Sequence, residues 1–476
     1  MARTTANSSG IRSKIKHPII DSDGHILEMT PVVQDYMKHI GGRDLFRKTW
    51  DRIDWSHRTS LVERRDNWVT MRSWWGSPTN VQDRAAAHLP RVLYNRMDDI
   101  GLDFAILYPS FGLALPRIDD PDTRVATCRA FNTYLADTYG PYADRMTPAA
   151  VIPMHTPQEA IDELEHAVGV LGLKVIMISL VSRPIPRIAR DHPELVGLID
   201  RLETFGLDSE YDYDPVWAKC VELKVAVTSH SFGMGWGSRR SISNYMYNHI
   251  GMFGAAGDAL CKALFMGGVT RRFPRLNFAF LEGGVGWACN LYADISGHWE
   301  KRNVKAIQRL NPANLDRDLL LKLFASHGDE LVTAKLEELR QLFHQEEPRP
   351  SNLDDLGACH LEEAEQIHDL FVPRFYFGCE ADDPMNAWAF NTTVNPFGAR
   401  LRAVLGSDIG HWDATDMNTV VAEAYEAVEK GRITSDDFRD FVFANPVRLH
   451  AGMNPDFFKG TRIEGSVAQL LKTTPI

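Results

Sequence analysis

The sequence lacks several features that would place it in a specialised class of proteins. No run of about eighteen apolar residues occurs in its 476 residues, and the N-terminus lacks the apolar core of a signal peptide. Its six cysteines lie far apart without a CxxC pair, which excludes a disulfide framework and a zinc–cysteine site. Basic residues are outnumbered, 52 against 63 acidic ones, so a nucleic-acid-binding surface is not expected. We therefore expect a cytoplasmic protein without membrane or nucleic-acid partners.

Short β-branched runs alternate with longer helical stretches along the chain. Strands are predicted at 18–24, 104–109, 147–153, 173–178, 224–229, 277–281, 374–378 and 401–406. The clearest helices are predicted at 121–139, 156–171 and 214–223. Several strands are almost continuously apolar, which is typical of parallel strands buried on both faces. Eight β/α alternations favour an α/β fold of the (β/α)8 TIM-barrel type over an open doubly wound sheet, although periodicity alone does not show closure.

The chain is expected to form one barrel domain over 18–460. The polar residues 1–17 are predicted to be a flexible tail, and 461–476 a C-terminal tail. Two stretches are too long for barrel loops, about 29–95 after the first strand and 297–373 before the seventh. Both are expected to be helical insertions beside the barrel mouth. The second is also a candidate dimerisation element, so a homodimer is a further expectation.

Candidate metal ligands stand at the ends of four predicted strands. They are Asp23, His25 and Glu28 after the first strand, His230 after the fifth, Glu282 after the sixth and Asp408 after the eighth. The C-terminal ends of barrel strands face the active site, and residues two apart on an extended chain point to the same side. Each residue alone has an ordinary structural explanation, such as helix capping or ion pairing. Their coincidence at four strand ends predicts a metal site.

The charges of these candidate ligands indicate how many metal ions the site would hold. Four carboxylates leave an uncompensated excess around one divalent ion, whereas two divalent ions cancel them. His25, His230 and His249 complete a mixed nitrogen and oxygen set, which suits iron or manganese better than structural zinc. His249 follows the fifth strand, and a core or surface role for it is equally open.

The order DxDGH, SH, LEGG and GSD resembles the amidohydrolase-related metal enzymes of the aminocarboxymuconate-semialdehyde decarboxylase type, over about Ile20 to Asn454. Tyr108-Pro109, FGCEADDP and the closing FANPVRL segment extend the resemblance. The pattern also departs from those enzymes. Asp23 stands where they begin HxH, Glu282 stands where a histidine often follows strand six, and no lysine ends strand four. The bridging carboxylated lysine of binuclear amidohydrolases is therefore missing.

The carboxylate-rich set is similar to that of the TIM-barrel nonheme diiron monooxygenases, a group that includes the platensimycin and platencin pathway hydroxylase. This resemblance implies two iron ions, O₂, an electron donor and hydroxylation of a bulky or CoA-linked organic substrate in secondary metabolism. The alternative is a mononuclear zinc or manganese hydrolase or decarboxylase. In that alternative His25, His230 and Asp408 hold one metal, Asp408 or His411 is the general base, and Glu282 supports the ligands.

Two segments are candidates for substrate binding. Arg183, Arg187 and Arg190 follow the fourth strand, where they could bind a carboxylate or the phosphates of CoA. A solvated basic loop explains them equally well. Trp236, in a glycine-rich segment after the fifth strand, could line an apolar pocket, although a packed loop tryptophan is slightly favoured.

Overall fold

The computed structural model describes residues 7–53, 60–67, 76, 78–197, 199–231, 240–345 and 353–473. Its ten strands are β1 (Ile20–Ile26), β2 (Phe104–Pro109), β3 (Met146–Val151), β4 (Val175–Ile178), β5 (Val181–Pro184), β6 (Asp200–Glu203), β7 (Val227–Ser229), β8 (Phe278–Phe280), β9 (Phe375–Glu380) and β10 (Arg402–Gly406). Eight of them form one parallel sheet in the order β1-β2-β3-β4-β7-β8-β9-β10, and β5 and β6 form a separate antiparallel hairpin.

Helices connect the strands. The first half of the chain contains α1 (Ser8–Arg12), α2 (Thr30–Gly41), α3 (Leu45–Ile53), α4 (Leu61–Asn67), α5 (Val81–His88), α6 (Pro90–Ile100), α7 (Pro121–Tyr139), α8 (Pro157–Leu164), α9 (Pro186–Asp191) and α10 (Asp214–Leu223). The second half contains α11 (Tyr245–His249), α12 (Met252–Met266), α13 (Val269–Arg272), α14 (Gly286–Arg302), α15 (Arg317–His327), α16 (Glu330–Thr333), α17 (Leu336–Phe343), α18 (Glu365–Phe371), α19 (Asn386–Ala389), α20 (Val420–Glu429), α21 (Ser435–Arg439), α22 (Asn445–Ala451) and α23 (Glu464–Thr473). Within the described residues, no helix is long and apolar enough to cross a membrane.

The first and last strands of the sheet meet, which makes the fold a (β/α)8 barrel. The backbone N–H of Asp408 donates to the carbonyl oxygen of Asp23 at 3.0 Å, and that of His25 donates to Ile409 at 2.8 Å. Gly410 makes this approach feasible, because its φ is +98° and a Cβ there would lie 2.7 Å from the carbonyl oxygen of His25. The TIM-barrel prediction is confirmed, and the barrel closes at the residues predicted to be ligands.

All eight predicted barrel strands are present within a few residues of their predicted bounds. The predicted helices 121–139 and 214–223 match α7 and α10, whereas 156–171 divides into α8 and a π-helical turn at 165–170. The β5–β6 hairpin was not predicted, because its strands are four residues long and partly exposed and so lack a buried apolar run.

The chain ends differ from the expected tails. In 1–17, α1 buries Ser8 and Ile11, and the Ser8 hydroxyl accepts the backbone N–H groups of Val421 and Ala422 at the start of α20. In 461–476, α23 buries two apolar side chains against the barrel. A few apolar residues at helical spacing suffice to dock these short helices.

Both long insertions contain helices, α2 to α6 in the first and α15 to α17 among those in the second. In the second insertion several leucines remain exposed, such as Leu319 on α15 and Leu342 on α17. The homodimer that this insertion suggested stays a prediction.

Candidate metal centre

Five predicted ligands converge at the carboxyl ends of four barrel strands. They are Asp23 and His25 on β1, His230 after β7, Glu282 after β8 and Asp408 after β10. Their side chains are at most 6 % exposed to solvent. The cluster therefore lies inside the mouth of the barrel, where a barrel enzyme carries its active site.

The distances within the cluster are those of ligands around a shared ion. His25 Nε2 lies 3.2 Å from Asp408 Oδ1 and 3.6 Å from Asp23 Oδ1. His230 Nε2 lies 3.1 Å from Glu282 Oε2 and 3.7 Å from Asp23 Oδ1. Atoms that bind one ion at about 2.0–2.2 Å are separated from their neighbours by about 3–3.6 Å. These residues can therefore hold a divalent metal.

The same atoms lack hydrogen bonds, although they are buried. Asp23 Oδ1, Glu282 Oε2 and both ring nitrogens of His25 and His230 have no hydrogen-bond partner among the described residues. Buried polar atoms are normally paired, because an unpaired one costs about 1–3 kcal/mol. A cation within the cluster would provide the missing partner for the two carboxylate oxygens and for the Nε2 atoms of His25 and His230, so the donor set fits a metal ion.

The backbone is strained at two of the acidic positions. Glu282 has φ = 57° and Asp408 has φ = 51°, in the left-handed region that residues with a side chain rarely adopt. Such strain costs about 1–3 kcal/mol and is found mainly at functional sites. Here it turns two carboxylates towards the cluster.

Without a cation, the charged forms of the carboxylates and imidazoles in the cluster are destabilised. Burial raises the pKa of Asp23, Glu282 and Asp408 well above the usual range, and neighbouring carboxylates raise it further. Burial also lowers the pKa of His25 well below its usual value and that of His230 to about 4. Neutral imidazoles are the form that binds metals.

Asp21 fixes the ends of the two strands that carry Asp23 and Asp408. Its fully buried carboxylate accepts the backbone N–H of Asp23 at 3.2 Å, the backbone N–H of Ser407 at 2.9 Å and the Ser407 hydroxyl at 2.5 Å. Burial raises the pKa of Asp21 to about 6. This carboxylate therefore ties β1 to β10 directly beside the ligands.

The structure does not bring Glu28 into the cluster, contrary to its prediction as a ligand. Its carboxylate accepts the backbone N–H groups of Phe111 and Gly112, each at 3.0 Å. Burial raises the pKa of Glu28 to about 7. These donors belong to the loop after β2, the strand beside β1, and the local pattern around Glu28 does not show that they point at its carboxylate.

His411 stands against the cluster. Its Nδ1 lies 2.8 Å from Asp408 Oδ1, and its Nε2 is hydrogen-bonded to Ser110 Oγ at 2.7 Å. Its ring stacks on that of His25, with centroids 3.7 Å apart. Ser110 was not predicted to belong to the site, although the Tyr108-Pro109 match pointed to its position.

A second group of candidate ligands adjoins the first through Glu282. His249, Glu282 and Asp413 offer ligand atoms within 4.8 Å of one another, and His249 Nε2 lies 3.9 Å from Asp413 Oδ2. Burial, and then the neighbouring carboxylate of Asp408, raise the pKa of Asp413 to about 8. The sequence prediction omitted Asp413, although the motif GHWD after β10 places a carboxylate five residues past Asp408.

A cavity of about 290 Å³ opens beside Asp408 and Asp413. Glu380, Asp382 and Asp383 also line it, so its wall next to the cluster is acidic. Burial and these neighbouring carboxylates raise the pKa of Glu380 to about 7. Such a wall favours neutral or cationic groups over phosphates.

The predicted arginines do not join the cluster. Arg183 lies on β5 with its side chain buried, and it donates to the His155 carbonyl and the Tyr213 hydroxyl. The side chains of Arg187 and Arg190 are 80 % and 69 % exposed and pair with Asp191. Trp236 lies outside the described residues.

Comparison with known proteins places this barrel in a family. The amidohydrolase family model matches residues 20–319, which is more than half of the chain. This chain belongs to the amidohydrolase family. The match confirms the resemblance to amidohydrolase-related enzymes, whereas the diiron monooxygenase subtype stays a prediction.

Solved structures resemble this amidohydrolase-family chain over nearly their whole length. An amidohydrolase from Mycobacterium avium subsp. paratuberculosis K-10 is 15% identical, with 91% of this chain and 98% of that chain covered and a TM-score of 0.53. 2,6-Dihydroxybenzoate decarboxylase complexed with 2,6-dihydroxybenzoate is 15% identical, with 91% and 99% covered and a TM-score of 0.47. 5-Carboxyvanillate decarboxylase from Novosphingobium aromaticivorans DSM 12444, solved with bound manganese, is 14% identical, with 91% and 97% covered and a TM-score of 0.49. At these identities the likeness concerns the fold alone.

Proposed function

We propose that this protein is a metal-dependent enzyme that hydrolyses or decarboxylates a small organic substrate without O₂. The observation that carries the proposal is the convergence of buried, unpaired ligand atoms at the mouth of an amidohydrolase-family barrel. Asp23, His25, His230 and Asp408 would hold one divalent ion, with Glu282 beside them. Three carboxylates and two imidazoles suit manganese or zinc.

The protein residues would divide the remaining work. A divalent ion at this place supplies Lewis acidity, which polarises a carbonyl or carboxyl oxygen and acidifies water. Asp408 also lines the cavity, so this ligand carboxylate faces the place where a substrate would lie. The acidic wall of the cavity would orient a neutral or cationic part of the substrate away from the ion.

A second candidate is the diiron monooxygenase, which one observation favours. The group of His249, Glu282 and Asp413 shares Glu282 with the first group, and these three residues would hold a second ion. Two ferrous ions would then serve O₂ activation, with an electron donor as partner. In this proposal Asp413 takes the place predicted for Glu28 as a ligand.

Metal content separates these candidates. The protein would be purified without added metal under anaerobic conditions and measured by elemental analysis. About one manganese or zinc per chain supports the first proposal, and about two irons per chain with substrate-dependent O₂ consumption support the second. The variant Asp408→Asn is the control: it should bind less metal in the elemental analysis and should lose any substrate-dependent O₂ consumption. Absence of bound metal after reconstitution with each ion would overturn both.

A further inference from the structure

The hydrogen bond between Ser110 and His411 indicates which ring nitrogen of His411 faces the cluster. Ser110 Oγ and His411 Nε2 are hydrogen-bonded at 2.7 Å, which leaves Nδ1 as the nitrogen that faces the cluster. His411 Nδ1 approaches Asp408 Oδ1 to 2.8 Å. This approach lacks the geometry of a hydrogen bond, as do those of His25 Nε2 and His230 Nε2 to their neighbouring carboxylates.

The position of His411 is that of a ligand. It forms, with His25, Glu282 and Asp408, a group whose candidate ligand atoms all lie within 4.8 Å of one another. A metal-binding histidine usually donates its other ring N–H to an outer acceptor, which fixes the tautomer that leaves the ligating nitrogen unprotonated. The hydroxyl of Ser110 lies where such an acceptor is needed, 2.7 Å from His411 Nε2.

The loop after β2 holds this acceptor in place. The backbone N–H of Ser110 donates to the carbonyl oxygen of Ile26 at 3.0 Å. The N–H groups of the next two residues, Phe111 and Gly112, both donate to the buried carboxylate of Glu28. Glu28 therefore acts on the site indirectly, because it anchors the backbone next to Ser110.

His411 is also restrained from the opposite side. Its ring stacks on the ring of His25, and its backbone N–H donates to the carbonyl oxygen of Asp408 at 3.1 Å. Gly410 lets the chain pass closely over His25 just before this residue. The remaining freedom is the choice of tautomer, and Ser110 contacts the nitrogen that decides it.

We propose that His411 binds the metal ion through Nδ1 and that Ser110 is its positioning residue, which accepts the proton of Nε2. This inference rests on the proposed metal centre. It adds a third imidazole to His25 and His230, and it assigns to His411 ligation rather than the general-base role that the sequence suggested.

The first test counts nitrogen ligands in the Mn(II)-loaded full-length protein by pulsed electron paramagnetic resonance. The wild type should show three coupled histidine nitrogens, and His411→Gln should show two. His450→Gln, at a buried histidine that stacks on Phe457, should keep three. An unchanged count in His411→Gln would overturn the assignment of His411 as a ligand.

The second test measures Mn(II) affinity by chelator competition. Ser110→Ala should bind about tenfold more weakly, within the 10–100-fold range for an outer partner of a ligand, and Ser110→Thr should stay within about threefold of wild type. The apo forms should unfold at the same temperature, which excludes a general effect on the fold. Ser179→Ala, at a buried serine that follows β4 at the barrel mouth, is the control and should bind normally.

The outcomes separate this inference from the proposed function. Wild-type affinity in Ser110→Ala, while the wild type binds its ion, overturns the role of Ser110 and leaves the proposed function standing. A wild type that binds no divalent ion overturns both. Reaction of Ser110 with a fluorophosphonate would also overturn the positioning role, because it would reveal an activated nucleophile.

Discussion

Two polar clusters in this barrel differ in whether their polar atoms have hydrogen-bond partners. Between α7 and α8, Arg124 donates to both oxygens of Glu159 and to two carbonyl oxygens, and Asn132 and Arg129 bind the carboxylate of Glu163. At the barrel mouth, Asp23, Glu282, His25 and His230 are buried more deeply but carry unpaired atoms. The comparison shows that burial of charge does not by itself indicate function. What distinguishes the metal centre is that the protein leaves its own ligand atoms without partners.

The largest expected effect is the loss of a ligand from the unpaired cluster. His230→Ala should weaken Mn(II) binding by about 1000-fold, beyond the 10–100-fold typical of an outer partner, because it removes a ligand itself. The apo form should be no less stable than the wild type, since an unpaired group is removed. Isothermal titration calorimetry of the apo proteins with Mn(II) measures the affinity, and thermal unfolding of the apo proteins measures the stability. Equal weakening in the control His450→Ala would show that the effect is not specific to the cluster.

Loss of an ion-pair partner from the cluster between α7 and α8 should lower the stability of the fold and leave metal binding unchanged. Arg124→Met leaves the carboxylate of Glu159 without its partner, so the free energy of unfolding should fall by about 3 kcal/mol. Metal content per folded chain should stay unchanged. Urea denaturation followed by tryptophan fluorescence measures the first quantity and elemental analysis the second. An unchanged denaturation midpoint would remove the distinction between the clusters.

The pH dependence of stability should differ between the apo and metal-loaded proteins. The folded pKa of Asp413 is about 8, far above its value in the unfolded chain, so unfolding releases a proton between these values. Stability of the apo protein should therefore fall by a few °C in Tm as the pH rises from about 6.5 to 8. This pH range starts at the ordinary histidine pKa of about 6.5. Below it, histidines that are buried in the neutral form would become protonated in the unfolded chain, and this would also change the stability.

Bound metal replaces protons among these carboxylates, so saturating Mn(II) should flatten this dependence. Asp413→Asn should reduce the apo slope even without metal, whereas Asp137→Asn, at an exposed carboxylate bonded to Tyr36, should leave it unchanged. Thermal unfolding at several pH values measures the effect of Mn(II) and the effect of each substitution on this slope. A steep slope that persists in the metal-loaded protein would place the responsible carboxyl groups outside the metal centre.

The smallest effect is expected at the exposed arginines. The double variant Arg187→Ala and Arg190→Ala should leave Mn(II) affinity within about twofold and stability within about 0.5 kcal/mol, because both side chains are solvated. Arg183→Met should be clearly destabilising, since it removes a buried group with several partners. A specific loss of metal binding in the double variant would show that this loop reaches the site.

The sequence predicted the barrel and which residues the strand ends would bring together in the candidate metal centre. Parallel strands buried on both faces are apolar along their whole length, so their positions can be identified without knowledge of their neighbours. Barrel topology then brings the residues at the strand ends together, which is why Asp23, His25, His230, Glu282 and Asp408 were correctly grouped. The β5–β6 hairpin escaped prediction, because its short strands have no such apolar pattern.

Only the tertiary structure decided which loop residues join the cluster. Glu28 and Asp413 are both carboxylates shortly after a barrel strand, yet one binds two backbone N–H groups while the other faces the ligands. In the same way, Arg183 finds buried partners, and Ser110 meets His411 from a distant part of the chain. A strand end is placed by a regular pattern, whereas a loop side chain is placed by contacts between segments tens to hundreds of residues apart, and those contacts leave no local mark in the sequence.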